Sequence, residues 1–185
     1  MNSIFDNRRW FFPLVLVLAA AWIVLTAFIN PPPTQNRPAA ARQGFPAPQI
    51  SLTSFDSSSI SLSDFQGQVV IVNFWASWCP PCRTEMPAMQ AVYEEFGHYG
   101  VTILAVNASN QDDPLAARRF ITERGLTFPI LEDLTGATAR TYQVSALPTT
   151  FFIDRKGIIS KVIYGGPLAE ALLRAEITRL VKEQP

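Results

Sequence analysis

What this chain can fold into is constrained most by an almost wholly apolar run that ends on a pair of cysteines. Val69 to Trp75 reads VVIVNFW, and after three intervening residues comes Cys79-Pro80-Pro81-Cys82. A continuous run of β-branched and aromatic residues is expected of a strand covered on both faces. Such a strand needs packed layers above and below it. The residues from Pro81 to Phe96 then carry a helical pattern, so the two cysteines sit at the mouth of a helix, one turn apart. Their sulfurs can close a small ring, or the first can attack outward. They are the only two cysteines in the chain. Zinc normally takes four ligands, but there is no second cysteine pair, and the only histidine, His98, lies sixteen residues beyond Cys82. A disulfide closing so short a loop removes little chain entropy and makes a poor staple. A CxxC beside a β-α pattern reads instead as a redox motif.

The remaining pattern extends this unit into an α/β domain. Ile50-Ser51-Leu52 and Ile60-Ser61-Leu62 alternate around an Asp-Ser-Ser-Ser turn and predict a short hairpin. Val101 to Asn107 predicts a second buried strand. Asp112-Asp113-Pro114 predicts a helix start, with proline in the first turn and acidic residues complementing the dipole, and the helix should end near Gly125. Phe128 to Leu131 predicts a short strand and Thr135 to Tyr142 a helix. Thr149–Asp154 and Ile158–Tyr164 predict strands joined by a tight turn at Arg155-Lys156-Gly157. Leu168 to Lys182 predicts a closing helix with Leu172, Leu173, Ile177, Leu180 and Val181 on one side. Parallel crossovers followed by an antiparallel hairpin give a three-layer mixed sheet with helices on both faces. Pro87 should bend the first of these helices. The Arg118-Arg119 pair reads as a solvated helix face.

Before the domain, residues 11–29 carry no charge. As a helix, nineteen residues span about 28 Å, close to the ~30 Å hydrocarbon core of a bilayer. A cleaved signal peptide is the alternative. It wants a shorter apolar run with a small-residue site at its end, whereas here Ala19–Ala21 falls inside the run and Asn-Pro-Pro-Pro follows it. Residues 1–10 therefore read as a cytoplasmic tail, 11–29 as a single transmembrane anchor, 30–44 as a proline-rich linker and 45–185 as the folded domain. Prolines 31, 32, 33 and 38 make the linker a semi-rigid spacer. Charge sets the orientation only weakly, with Arg8 and Arg9 before the span and Arg37 and Arg42 after it. We expect an extracytoplasmic domain, because long following domains translocate largely regardless of charge. Formal net charge is zero, which gives no basis for binding nucleic acid.

The chemistry of the cysteine pair follows from its place on the helix. The unpaired N–H groups of a first turn and the helix dipole favour negative charge. Cys79, nearest the end, should then be the attacking thiolate, and Cys82, more buried, should resolve the mixed disulfide. Trp78 reads as a partly exposed aromatic that flanks the nucleophile and contacts partners, with core packing as the alternative. Trp75, Phe74, Phe151 and Phe152 read as core, and His98 as an exposed helix-end residue.

The stretch Asn73 to Pro87, NFWASWCPPCRTEMP, and the stretch Val144 to Gly157, VSALPTTFFIDRKG, together resemble thioredoxin-like proteins of the membrane-anchored TlpA/ResA type. The resemblance runs from about Phe45 to Val181. It implies a thioredoxin-like fold and a cis bond at Leu147–Pro148 beside the CxxC, where the backbone of Leu147 could pair with a substrate strand. A trans proline at a strand start is the alternative. Thioredoxin itself carries an acidic residue where this chain has Asn73. Proton handling must then come from elsewhere, and the ResA-like pattern has a glutamate at the position of Glu85. A carboxylate there would raise the thiol pKa values and accept a proton; the alternative is a surface glutamate paired with Arg83. The resemblance also implies a thiol:disulfide oxidoreductase, specifically a protein-disulfide reductase, that needs no cofactor. It would act on disulfides of extracytoplasmic proteins such as apocytochrome c and be re-reduced by a membrane electron-transfer partner. A disulfide-forming oxidant and a Cu(I) chaperone remain the alternatives.

Overall fold

The computed structural model describes residues 15–22 and 38–183. The two stretches fall in separate units of the chain. Residues 15–22 are helical, and Val15, Leu16, Val17, Leu18 and Trp22 are exposed. The cytoplasmic tail, both ends of the expected anchor and most of the linker lie outside the described residues. Among the described residues no helix is long and apolar enough to cross a membrane.

The second stretch is built on a five-stranded sheet. β1 (Ser51–Thr53) and β2 (Ser59–Ser61) form a small antiparallel hairpin with Leu52 opposite Ile60. They are followed by β3 (Val69–Trp75), α1 (Pro80–Phe96), β4 (Val101–Asn107), α2 (Pro114–Arg124), β5 (Ile130–Glu132), α3 (Ala137–Thr141), β6 (Thr149–Ile153), β7 (Ile159–Tyr164) and α4 (Glu170–Lys182). The strand order is β5-β4-β3-β6-β7. β3 runs parallel to β4, and β4 to β5, while β6 is antiparallel to both β3 and β7. This is the predicted thioredoxin-like mixed α/β arrangement.

β3 is central, and all seven of its residues are buried. Its two faces feed two cores. Val69, Ile71 and Trp75 pack with Met86, Met89 and Val92 of α1, Ala117 and Phe120 of α2, and Leu173, Ile177 and Leu180 of α4. Val70, Val72 and Phe74 pack with Leu104, Val106, Phe151, Ile153, Ile50 and Tyr142. Three helices therefore cover one face. Ala41, Ala47 and Ile50, with the neighbourhood of α3, cover the other.

Local rules set most boundaries. Asp113 caps α2 through Leu115 N–H at 2.9 Å, and Gly125 ends it at φ 59°, a backbone angle that suits glycine. Three expectations need adjustment. β5 begins at Ile130 rather than Phe128, because Pro129 has no N–H to give a ladder and Phe128 turns into the core. α3 starts only at Ala137, where the Asp133 carboxylate accepts the N–H groups of Thr138 and Ala139 at 3.3 and 2.8 Å. In α4 the buried stripe is Leu173, Ile177 and Leu180, spaced four and three residues apart, so Leu172 falls off it and is 40% exposed. α1 continues through Pro87 to Phe96 without a break. Arg118 is exposed, as predicted, but it also donates to Phe55 O at 2.8 Å and lies over the Phe55 ring, which ties the hairpin region to α2.

Tyr142 closes the second core. Its ring packs against Phe74 and Phe151 at 5.3 and 4.9 Å, and its hydroxyl donates to Pro48 O at 2.6 Å. Burial pushes its phenol well above the usual range. Tyr142→Phe keeps the ring but leaves the buried Pro48 carbonyl unpaired, which costs about 1–3 kcal/mol. Denaturant unfolding should show the midpoint falling with an unchanged slope; an unchanged midpoint would show that the bond contributes nothing.

Candidate active site

The site lies where β3 hands over to α1. Cys79 is the N-cap of α1, with extended backbone at φ −85° and ψ 110°, and its sulfur accepts the Cys82 N–H at 3.3 Å. Pro80 and Pro81 occupy the first turn, where their missing N–H groups cost no helical bond. Cys79 and Cys82 are joined in a disulfide, with their Cα atoms 5.3 Å apart. Cys82 is fully buried, and Cys79 is 3% exposed. Trp78 is 55% exposed, which fits the flanking reading rather than core packing, and its indole N–H donates to Gln111 O at 3.0 Å. Trp75, by contrast, is fully buried against Phe120.

Glu85 follows Cys82 by three residues, so the two share one face of α1. It is not a surface glutamate, being only 2% exposed. One carboxylate oxygen accepts from Asn73 Nδ2 and the other from Leu168 N–H, each at 2.8 Å. The second amide hydrogen of Asn73 goes to Thr150 Oγ1 at 3.0 Å. Burial raises the Glu85 carboxyl above its usual range, and the Leu168 and Asn73 donors pull it partly back. Arg83, the partner that a surface reading would require, donates instead to Ser77 O at 3.2 Å and lies over the Phe120 ring.

The peptide bond between Leu147 and Pro148 is cis, as the resemblance implied, and the one between Gly166 and Pro167 is cis as well. Leu147 is half-buried and Pro148 buried. The carbonyl of Pro148 accepts Gly165 N–H at 2.8 Å. A Cβ added at Gly166 would lie 2.8 Å from Pro148 Cγ and 3.1 Å from Glu85 Oε2. The chain therefore passes between Pro148 and Glu85 at a point where only glycine fits. This contact draws Cys82's neighbour Glu85, Pro148 and the β7–α4 loop into one cluster. Sequence reasoning missed Thr150, Gly166 and Leu168. Gly165-Gly166-Pro167 was a visible turn signal, but nothing in it named Glu85 as its neighbour. His98 sits exposed just past the far end of α1, stacked on Tyr99. The seventeen residues of α1, about 25 Å, separate that end from Cys79.

The sequence model of the AhpC/TSA family matches residues 44–162. The chain belongs to this family. It is 37% identical to the thiol-disulfide oxidoreductase ResA of Oceanobacillus iheyensis over 156 residues, 82% of this chain and 78% of the relative. It is 35% identical to the ResA of Halalkalibacterium halodurans over 97% of this chain and 99% of the relative. Among solved structures it resembles a thioredoxin-family thiol:disulfide interchange protein from Chlorobium tepidum, with TM-score 0.69, 27% identity, and coverage of 80% of this chain and 99% of that one. StoA from Bacillus subtilis is also similar, with TM-score 0.61, 32% identity, and coverage of 70% and 96%. With its paired cysteines, this chain is a thiol-disulfide oxidoreductase of the ResA type.

The raised Glu85 carboxyl has a thermodynamic signature. Its unfolded counterpart ionises near 4.5 and the folded group later, so the unfolded state loses its proton first as pH rises. Stability should fall from about that pH upward, and the loss should be complete above the folded pKa. Glu85→Gln should remove this component. Urea titrations between acid and neutral pH should therefore show the wild type losing stability relative to the variant as pH rises; a constant difference would refute the assignment.

Proposed function

We propose that this protein is a membrane-tethered reductase of disulfides in extracytoplasmic proteins. The Cys79 thiolate attacks a substrate disulfide, one substrate sulfur leaves as a thiolate, and a mixed disulfide forms. Glu85 takes the proton of Cys82, whose sulfur then attacks Cys79 and releases the second substrate sulfur. Two electrons pass from the cysteine pair to the substrate, and the protein ends as the Cys79–Cys82 disulfide. Trp78 and the backbone of Leu147 beside Pro148 flank the incoming polypeptide. Oxidised CxxC pairs such as those of apocytochrome c before haem attachment, a step of cytochrome c-type biogenesis, are the substrate class. A membrane electron-transfer partner restores the dithiol.

The buried Glu85 carboxylate one turn from Cys82 carries this reading. A strong oxidant stabilises its reduced, thiolate form. A carboxylate beside the pair works in the opposite sense, holding thiol pKa values up and favouring electron donation. Tethering is supported by the uncharged stretch at 11–29 and by the exposed apolar side chains of residues 15–22. Copper delivery would call for a third soft ligand near the pair, and His98 lies a helix length away. The oxidant reading uses the same residues, so it is decided by potential.

Cys79→Ser should abolish reduction of insulin disulfides, and Cys82→Ser should accumulate mixed disulfides on non-reducing gels. Full turnover by Cys79→Ser would sink the mechanism. Equilibration with glutathione should place the couple near the ~ −270 mV of a reductant; a value near ~ −120 mV would mark an oxidant instead.

A further inference from the structure

The residues just before Cys79 are held from outside α1 by the turn that follows β4. The carboxylate of Asp112 accepts four hydrogen bonds. Ser77 N–H and Asn107 Nδ2 donate to one oxygen at 2.6 and 2.8 Å, and Ser77 Oγ and Asp113 N–H donate to the other at 2.5 and 2.9 Å. On either side of this contact the same turn grips the same strand end. Ala108 N–H donates to Trp75 O at 2.9 Å, and Gln111 O receives the Trp78 indole N–H at 3.0 Å. Trp75, Ser77 and Trp78 are thus each fastened to the segment from Ala108 to Asp112. Ser77 is only 4% exposed, so its N–H and hydroxyl would lose their partners without this carboxylate.

Asp113 has a different job. It caps α2, as its position before Pro114 predicts. Asp112 spends its carboxylate on the active-site turn instead, and a reading of the Asp-Asp-Pro start as one capping signal does not separate the two.

We infer that Asp112 is a positioning residue for thiol–disulfide exchange. In the oxidised protein the Cys79–Cys82 bond itself fixes Cys79. Once that bond opens, the position of the Cys79 sulfur depends on the backbone leading into it, and Asp112 clamps that backbone two residues upstream. The same clamp, through Gln111, keeps the Trp78 ring at the edge of the nucleophile. In-line attack of one sulfur on another tolerates little misplacement. This inference rests on Cys79 being the attacking cysteine.

The test compares Asp112→Ala, Asp112→Asn and Asp113→Ala in the full-length protein, with insulin as the disulfide substrate. The Trp78 indole N–H is followed by NMR and assigned by its loss in Trp78→Phe. Asp112→Ala should lower kcat roughly ten- to a hundredfold with little change in KM, and should remove exchange protection from the Trp78 indole proton. Asp112→Asn keeps one acceptor oxygen and should fall between it and wild type. Asp113→Ala should lower the unfolding midpoint while leaving kcat and the indole proton unchanged. Asp112 variants that lose stability but keep wild-type kcat and indole protection would reduce Asp112 to a brace of the fold and overturn the proposal. Should Asp112→Ala fail to fold, Asp112→Asn decides in the same way. Full turnover by Cys79→Ser would instead remove the reading of the nucleophile, and this inference with it; a failure confined to the Asp112 variants leaves that reading standing.

Discussion

A carboxylate held out of water one helical turn from Cys82 is the constraint around which this site is arranged. Burying Glu85 is unfavourable unless its oxygens are satisfied, and both are: one by Asn73 from the central strand, the other by the Leu168 backbone from the loop before α4. Asn73 in turn needs Thr150 on the neighbouring strand. The Leu168 contact requires the β7–α4 loop to pass close to Pro148, which only a glycine at 166 permits. One buried acid thereby ties together β3, α1, β6 and the last loop.

The cysteine turn is held from two directions. From below, the first turn of α1, whose two prolines have no N–H, offers the Cys82 N–H to the Cys79 sulfur. From the side, the segment after β4 fastens Trp75, Ser77 and Trp78. In the proposed reductase the first would favour negative charge at Cys79, while the Glu85 carboxylate would oppose charge on the pair. Trp78 is left exposed beside cysteines that are themselves almost fully covered.

Much of the architecture was legible along the chain. The VVIVNFW run fell on β3 to the residue because a strand buried on both faces has no polar positions to blur its ends. Asp113-Pro114 and Gly125 bounded α2 through capping rules that act over a few residues. Less was legible where a neighbour overrides local preference, as at Leu172, or where a single proline shortens a strand, as at Pro129.

By itself the sequence determined the dithiol, its place at a helix start, the order of strands and helices, and the presence of a carboxylate one turn from Cys82. Each of these depends on residues within about one turn or one strand of each other. Whether Glu85 faced water or the core was open, with Arg83 its nominal partner. Tertiary structure decided that point, because Asn73, Thr150 and Leu168 come from parts of the chain 12 residues away from Glu85 in one case and 65 to 83 in the others. It also separated Asp112 from Asp113, two identical side chains side by side. One ends up capping its own helix and the other holding the strand that leads to Cys79, because only packing brings Ser77 within reach.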